Sequence, residues 1–317
     1  MGRLSRDKRD VFYRLAKEKG YRARSAFKLL QLDAEFDLFG RPREGGGEGG
    51  AVTRAVDLCA APGSWSQVLA DQLRGTPTTA IVNNSEDPKI IAVDLQPMAP
   101  IDGVLSFQGD ITSQQTAHAI IQHFQGQRAQ LVLCDGAPDV TGLHDVDEFL
   151  QSQLLQGAML ITTHVLEVGG TFVAKIFRGQ NTTGLLYNQL RLLFGTVSVA
   201  KPTSSRNSSI EAFVVCQKFK AGPQYQNLPL DLGGYYDLKS RINIDEKEVK
   251  DTEEENTNKR DSFIVPFLAC GSLLGYQGNL QYLDADASYP MDSEYLPPVA
   301  PPIQPPYETS LSQKQQK

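Results

Sequence analysis

The chain has 317 residues, with 31 lysines and arginines, 37 acidic residues, 40% hydrophobic and 21% charged side chains. That is the composition of a folded domain or two, not of a disordered or collagen-like chain. No apolar run reaches the ~18 uninterrupted residues a membrane span needs, and the opening MGRLSRDKRD has no hydrophobic core for a secretory signal, so a cytoplasmic location without membrane contact is expected. Arg6 stands where a myristoylation motif wants Ser or Thr. Cys59, Cys134, Cys216 and Cys270 stand singly with no C-x-x-C pair, which predicts buried reduced thiols and no metal site or disulfide framework.

Charge is segregated along the chain. Residues 1–28 hold ten basic side chains against three acids, whereas residues 245–317 hold 13 acidic against 6 basic. The basic segment suits a polyanion such as a nucleic acid; the alternative is a solvated helix face, because Val11, Phe12 and Leu15 recur at helical spacing. Apolar positions three or four apart predict helix over 5–38, and RPREGGGEGG (41–50) reads as a flexible loop.

After that loop come six short β-branched runs: AVDLCA (55–60), IIAVDL (90–95), LVLCDGA (131–137), GTFVAKIF (170–177), TVSVAKP (196–202) and EAFVVCQKF (211–219). Helix-like segments at 64–74, 112–125, 148–167 and 184–194 fall between them. Near-continuous apolar strands alternating with helices predict an α/β fold, a doubly wound, mostly parallel sheet with helices on both faces. Only KPTSSRNSS separates the last two runs, which predicts an antiparallel hairpin at one edge, an arrangement closer to methyltransferase sheets than to dehydrogenase sheets. TPTTAIVNNSEDPK (76–89) reads as a surface insertion. The predicted organisation is one domain over 1–220 with a basic helical segment at 1–38. An extension over 221–289 follows, carrying a charged linker at 245–261, and then a proline-rich tail over 290–317, expected to be extended and disordered. Within the extension, SFIVPFLACGSLLGY (262–276) is apolar enough to dock on the domain.

A doubly wound sheet binds its ligand beyond the carboxyl ends of the strands. The segment Asp57-Leu58-Cys59-Ala60-Ala61-Pro62-Gly63-Ser64-Trp65-Ser66 closes the first strand, turns and opens a helix, without the G-x-G-x-x-G of a pyrophosphate binder. S-adenosylmethionine has no phosphate and carries a sulfonium cation, so an acidic strand end and close backbone suit it, with Asp57 as the acid. Asp94 ends the second strand, where a carboxylate accepts from ribose hydroxyls, and Asp110 follows the third strand position, within reach of an adenine amino group. Four ionisable residues sit where charge is awkward: Lys28, Asp135 at the end of the fourth strand, Lys175 inside GTFVAKIF, and Glu211 opening EAFVV. Such groups are rarely buried unless paired.

The chain resembles the FtsJ/RrmJ family of RNA ribose 2′-O-methyltransferases over roughly residues 5–220. The matching residues are Y-R-A-R-S-A-F-K-L, D-L-C-A-A-P-G-S-W-S-Q, V-D-L-Q, G-D-I-T, C-D-G-A-P-D, V-A-K-I-F and K-P-x-S-S-R-x-S-S-I-E-A-F, in that order. The resemblance implies a catalytic tetrad at Lys28, Asp135, Lys175 and Glu211. It also implies cofactor contacts at Gly63, Trp65, Asp94, Asp110 and Asp135, with S-adenosylmethionine as methyl donor. Phe27 replaces the family's Tyr and is expected to pack. In the tetrad, Lys28 is expected to lower the pKa of Lys175 by like-charge repulsion, so that Lys175 assists deprotonation of the 2′-hydroxyl, or else stabilises the alkoxide as a cation.

Because the chain continues past the last strand, the resemblance is to the cytosolic eukaryotic branch that methylates nucleotides 32 and 34 of the tRNA anticodon loop. Members of that branch work with a HEAT/armadillo-like protein or a WD-repeat protein as auxiliary subunit. The alternatives are a ribosomal-RNA or cap-ribose methyltransferase, a catalytically silent RNA-binding subunit, and, disfavoured by its missing glycine pattern, a nicotinamide dehydrogenase.

Overall fold

A computed structural model describes residues 10–40, 51–74, 89–138, 141–178, 183–220, 265–271 and 296–299. The strands are β1 (Arg54–Leu58), β2 (Lys89–Asp94), β3 (Val104–Gln108), β4 (Ala129–Cys134), β5 (Leu166–Phe177), β6 (Phe194–Pro202), β7 (Glu211–Phe219) and β8 (Phe267–Cys270). The helices are α1 (Val11–Glu18), α2 (Ala26–Phe36), α3 (Ser64–Leu73), α4 (Gln114–His123), α5 (His144–Val165) and α6 (Thr183–Leu193).

The strands form one sheet in the order β3-β2-β1-β4-β5-β7-β6-β8. Its first five strands are parallel, and β7 runs antiparallel between β5 and β6. Helices cover both faces, as expected for strands that are apolar on both sides. On one face Phe124, Met159, Phe172 and Phe194 form a buried core; on the other Leu29, Trp65, Leu69 and Phe213 do so.

Strand parity decides which residues meet. Phe172, Ala174 and Ile176 of β5 join the first core while Val173 joins the second. Lys175 therefore projects to the side of α2 and α3, and Glu211 follows the same alternation with Phe213 and Val215 on β7.

Three expectations change here. The helix expected over 5–38 is two helices, because Gly20 takes a left-handed φ of 78° after α1 and the chain turns before α2 begins at Ala26. Asp10 caps α1, its carboxylate accepting from the Tyr13 N–H at 2.9 Å. The hairpin of β6 and β7 is not the sheet edge, since β8 pairs in parallel with β6, Val199 aligning with Phe267 and Pro202 with Cys270. That strand lies within the apolar segment expected to dock, and docking takes the form of strand addition, which covers the open β6 edge. β3 was too mixed to read as a run because it is the opposite edge, with Leu105 exposed.

The glycine-rich stretch 41–50, residues 76–88 of the insertion, the charged linker and most of the proline-rich tail lie outside the described residues. Of the tail, Leu296–Val299 are described, and the Val299 N–H donates to the Lys17 carbonyl at 3.1 Å. Among the described residues, no helix is long and apolar enough to cross a membrane, and no group of three or more His, Cys, Asp or Glu side chains is arranged to hold a metal.

Candidate active site

The strand order reverses between β1 and β4, and a cavity of about 940 Å³ opens beyond their carboxyl ends. Asp94, Asp110 and Asp135 line it, with no lysine or arginine among the described lining residues. Three carboxylates repel a pyrophosphate and attract a sulfonium cation that also offers hydroxyl and amino donors. The donor set therefore fits S-adenosylmethionine.

Asp94 is braced by backbone: Oδ2 accepts from the Ala61 N–H at 2.9 Å and Oδ1 from Gln96 at 2.7 Å. Each oxygen keeps a second lone pair for a ribose hydroxyl. Asp110 Oδ1 accepts from the Thr112 N–H at 2.8 Å and its hydroxyl at 2.7 Å. Gly136 carries the backbone of the β4 end across the cavity floor, where a Cβ would lie 2.8 Å from Cys59 Cβ and Sγ. Asp94→Ala is expected to weaken S-adenosylmethionine binding by roughly 1–3 kcal/mol, the cost of leaving polar partners unpaired. Calorimetry that finds unchanged affinity removes Asp94 from the site.

The remaining predicted cofactor residues sit elsewhere. Gly63 lies outside the cavity lining, at the N-cap of α3 with φ 104°; a Cβ there would come within 2.8 Å of Arg22, Met98 and Ile101. Trp65 is 2% exposed, and its indole N–H donates to the Ser25 carbonyl at 2.9 Å and the Ser25 hydroxyl at 3.1 Å. Asp57 is buried beneath the cavity without lining it. Its Oδ2 accepts from the Ser66 hydroxyl at 2.6 Å, and burial pushes its pKa up to about 7 against the pull of that hydrogen bond. Cys134, Cys216 and Cys270 are buried free thiols, whereas Cys59 is half-buried and lines the cavity.

The four tetrad residues, from four separate elements, meet around Asp135, the one of them that lines this cavity. Lys175 Nζ lies 2.7 Å from Asp135 Oδ1 and 3.4 Å from Glu211 Oε2, and donates to the Asp135 carbonyl at 2.9 Å. Lys28 Nζ lies 2.7 Å from Glu211 Oε1 and 4.0 Å from Asp135 Oδ1. Lys28 stands on α2, Asp135 follows β4, and Lys175 and Glu211 come from neighbouring strands with Phe177 aligned to Glu211. Two further side chains hold the frame. The Gln151 amide donates to the carbonyls of Gly136 at 3.2 Å and Lys175 at 2.9 Å. The Ser205 hydroxyl donates to Glu211 Oε1 at 2.7 Å.

Electrostatics run against the expected role of Lys28. Burial works to lower the Lys175 pKa, but the carboxylates of Asp135 and then Glu211 outweigh it and hold the amine protonated, above the ordinary lysine value. Glu211 is likewise disfavoured by burial, yet Lys28 and Lys175 bring its pKa down to about 2. The two carboxylates, at 2.7 and 3.4 Å from the amine, decide the sign.

Much of the basic N-terminal charge is committed to structure. Arg22 donates to the carbonyls of Pro62 at 3.0 Å, Ala99 at 2.7 Å and Pro100 at 2.8 Å, tying the first βα turn to the loop after β2. Arg24 pairs with Asp10 and the Ser204 carbonyl, and Arg14 with Glu18. Arg3, Arg6, Lys8 and Arg9 lie outside the described residues. Phe27 packs as expected, its ring 5.5 Å from that of Phe12 and 5.9 Å from that of Tyr21.

Comparison with known proteins gives the family. The chain is 52% identical over 320 residues to a human tRNA (cytidine(32)/guanosine(34)-2′-O)-methyltransferase, covering 99% of this chain and 85% of the relative. It is 50% identical to the Schizosaccharomyces pombe protein of the same name, covering 100% and 99%. An AdoMet-dependent rRNA methyltransferase of Aspergillus fumigatus is 44% identical over 212 residues, covering 67% of this chain and 24% of that one. A crystal structure described as a Plasmodium falciparum ribosomal RNA methyltransferase superposes with a TM-score of 0.50 at 25% identity, covering 63% of this chain and 98% of the other. The FtsJ-like methyltransferase model matches residues 21–219, a span that includes every tetrad and cofactor position named above, and the chain belongs to that family.

Proposed function

We propose that this protein transfers the methyl group of S-adenosylmethionine to ribose 2′-hydroxyls at nucleotides 32 and 34 of the tRNA anticodon loop. One observation carries the choice of RNA: the human and fission-yeast tRNA methyltransferases match the chain from end to end, through the segment that forms β8. The ribosomal-RNA relative matches only two thirds of it. A silent RNA-binding subunit would have no use for a buried and a half-buried lysine interleaved with two carboxylates.

In the mechanism, the bound cofactor supplies an electrophilic methyl carbon, and the chain's own residues do the rest. Asp94 and Asp110 orient the ligand from the strand ends. Lys175 Nζ, held protonated by Asp135 and Glu211, donates a hydrogen bond to the 2′-oxygen as negative charge grows there, and the hydroxyl proton passes to water. Lys28 keeps Glu211 ionised. Holding the oxygen in line with the methyl carbon is the main contribution of such a site. The lysine thus acts as a cation and not, in the resting site, as a free base.

The reading extends to a cytoplasmic enzyme whose substrate is tRNA. It acts with a HEAT/armadillo-like protein or a WD-repeat protein as auxiliary subunit, in line with the family resemblance. Mapping 2′-O-methyl groups in cellular tRNA with and without the protein is expected to show loss at positions 32 and 34. Retention of both modifications alongside a missing ribosomal-RNA methyl group overturns the assignment.

A further inference from the structure

The two carboxylates of the tetrad share one feature that ion pairing leaves unexplained: each has one oxygen towards Lys175 and the other on a serine. Asp135 presents Oδ1 to Lys175 at 2.7 Å, while its Oδ2 accepts from the Ser25 hydroxyl. Glu211 presents Oε2 to Lys175 at 3.4 Å, while its Oε1 accepts from the Ser205 hydroxyl at 2.7 Å and pairs with Lys28 at the same distance.

The terminal torsion of a carboxylate is broad and nearly two-fold, so attraction to an ammonium does not by itself choose the oxygen or the plane. A directional hydroxyl donor does. We propose that Ser25 and Ser205 are positioning residues of methyl transfer, each locking one carboxylate so that Lys175 Nζ is held at one point beside the cavity. The proposal rests on the methyl-transfer reading above.

Both serines are themselves held. Ser25 stands at the start of α2, one turn before Lys28, and receives the Trp65 indole N–H on its hydroxyl at 3.1 Å and on its carbonyl at 2.9 Å. This strut gives Trp65 a role although it stands outside the cavity lining. Ser205 is 2% exposed, its N–H donating to the Pro202 carbonyl at 2.9 Å. Its neighbour Ser204 is anchored to α2 through Gln31 Oε1, by its N–H at 2.9 Å and its hydroxyl at 2.8 Å. The same helix therefore supports Lys28 and both serines.

The test is single-turnover methylation of a tRNA substrate, with auxiliary subunit supplied, by Ser25→Ala, Ser205→Ala, Glu211→Leu and the double variant Ser205→Ala/Glu211→Leu. Each serine variant is expected to bind S-adenosylmethionine and tRNA as the parent does and to lose about tenfold in rate. Trp65→Phe, which keeps the ring and removes the N–H, is expected to show a smaller loss of the same kind. A serine that acts through its carboxylate loses its effect once the acceptor is gone, so Ser205→Ala is expected to cost less than about twofold on the Glu211→Leu background, which leaves no oxygen to receive its hydroxyl. The proposal is overturned if the single variants keep the parental rate, or if Ser205→Ala costs the same factor on both backgrounds. Activity of the parent in the same assay carries the methyl-transfer reading separately, so a failure of the serines is distinguishable from a failure of that reading.

Discussion

Lys175→Ala is expected to fold, to retain S-adenosylmethionine binding, and to lose methyl transfer by at least ~10²-fold, the lower end for loss of a group acting on a proton or its charge. In the proposed mechanism Lys175 Nζ meets the reacting oxygen only as charge develops on it, so its contribution falls in the transition state and not in cofactor binding. Arginine at this position separates the two roles of the amine, because a guanidinium keeps the charge and donors and cannot serve as a base. With Lys175 protonated between Asp135 and Glu211, Lys175→Arg is expected to exceed Lys175→Ala by at least about tenfold. Single-turnover rates with auxiliary subunit present, alongside calorimetric cofactor binding, decide the matter. A near-parental rate for the alanine variant would make the lysine structural. Equal inactivity of both variants with intact binding would restore proton abstraction as its role.

The largest effect on stability is expected at Glu211. Its carboxylate lies between two ammonium groups with its side chain 12% exposed, and the four tetrad charges balance. Glu211→Gln leaves two cations facing one acid, and breaking a buried pair in this way typically costs about 3–5 kcal/mol. The pH dependence has a defined sign. Folding lowers the carboxyl pKa from 4.5 to about 2, through Lys28 and Lys175 against the opposing effect of burial. The stabilisation is therefore complete above pH 4.5 and is lost as pH falls towards 2, of order 3 kcal/mol in all.

Urea denaturation of the parent at pH 7 and pH 3 is expected to show this loss, and Glu211→Gln is expected to start lower and change less between the two. Removing the pair together, in Lys28→Met/Glu211→Leu, is expected to recover part of the stability while leaving the enzyme inactive. Equal pH dependence in parent and Glu211→Gln would show that Glu211 is not held by the lysines.

Both effects depend on residues that were legible in the sequence one at a time. Lys175 interrupts a run of core residues, Asp135 and Asp94 end apolar strands, and Glu211 opens one. A charge in a strand with no exposed face has to be paired, which marks Lys175 and Glu211; Lys28, on a helix, and Asp135, past its strand, join them as a tetrad through the family resemblance. The parallel sheet, its antiparallel hairpin and the acidic strand ends of the cofactor cavity were equally local, because they follow from residue type and from apolar runs of strand length.

Pairing across the chain was not local. Which oxygen of Asp135 faces Lys175, and that Ser25 holds the other, is settled by residues 110 positions apart in sequence. Trp65 reads as a cofactor residue in its motif, yet the packing of α3 against α2 turns its indole to Ser25. The sign of the Lys175 pKa shift reverses for the same reason: the sequence shows two lysines, and only the fold shows two carboxylates within 2.7 and 3.4 Å of the amine. Arg22 and Arg24 counted towards a nucleic-acid footprint in the sequence, and the tertiary structure spends them on carbonyls and on Asp10. Composition and periodicity report what each residue needs, such as burial, a partner or a turn. Which partner satisfies the need depends on distances through space, and those exist only once strand order and helix packing bring distant segments together.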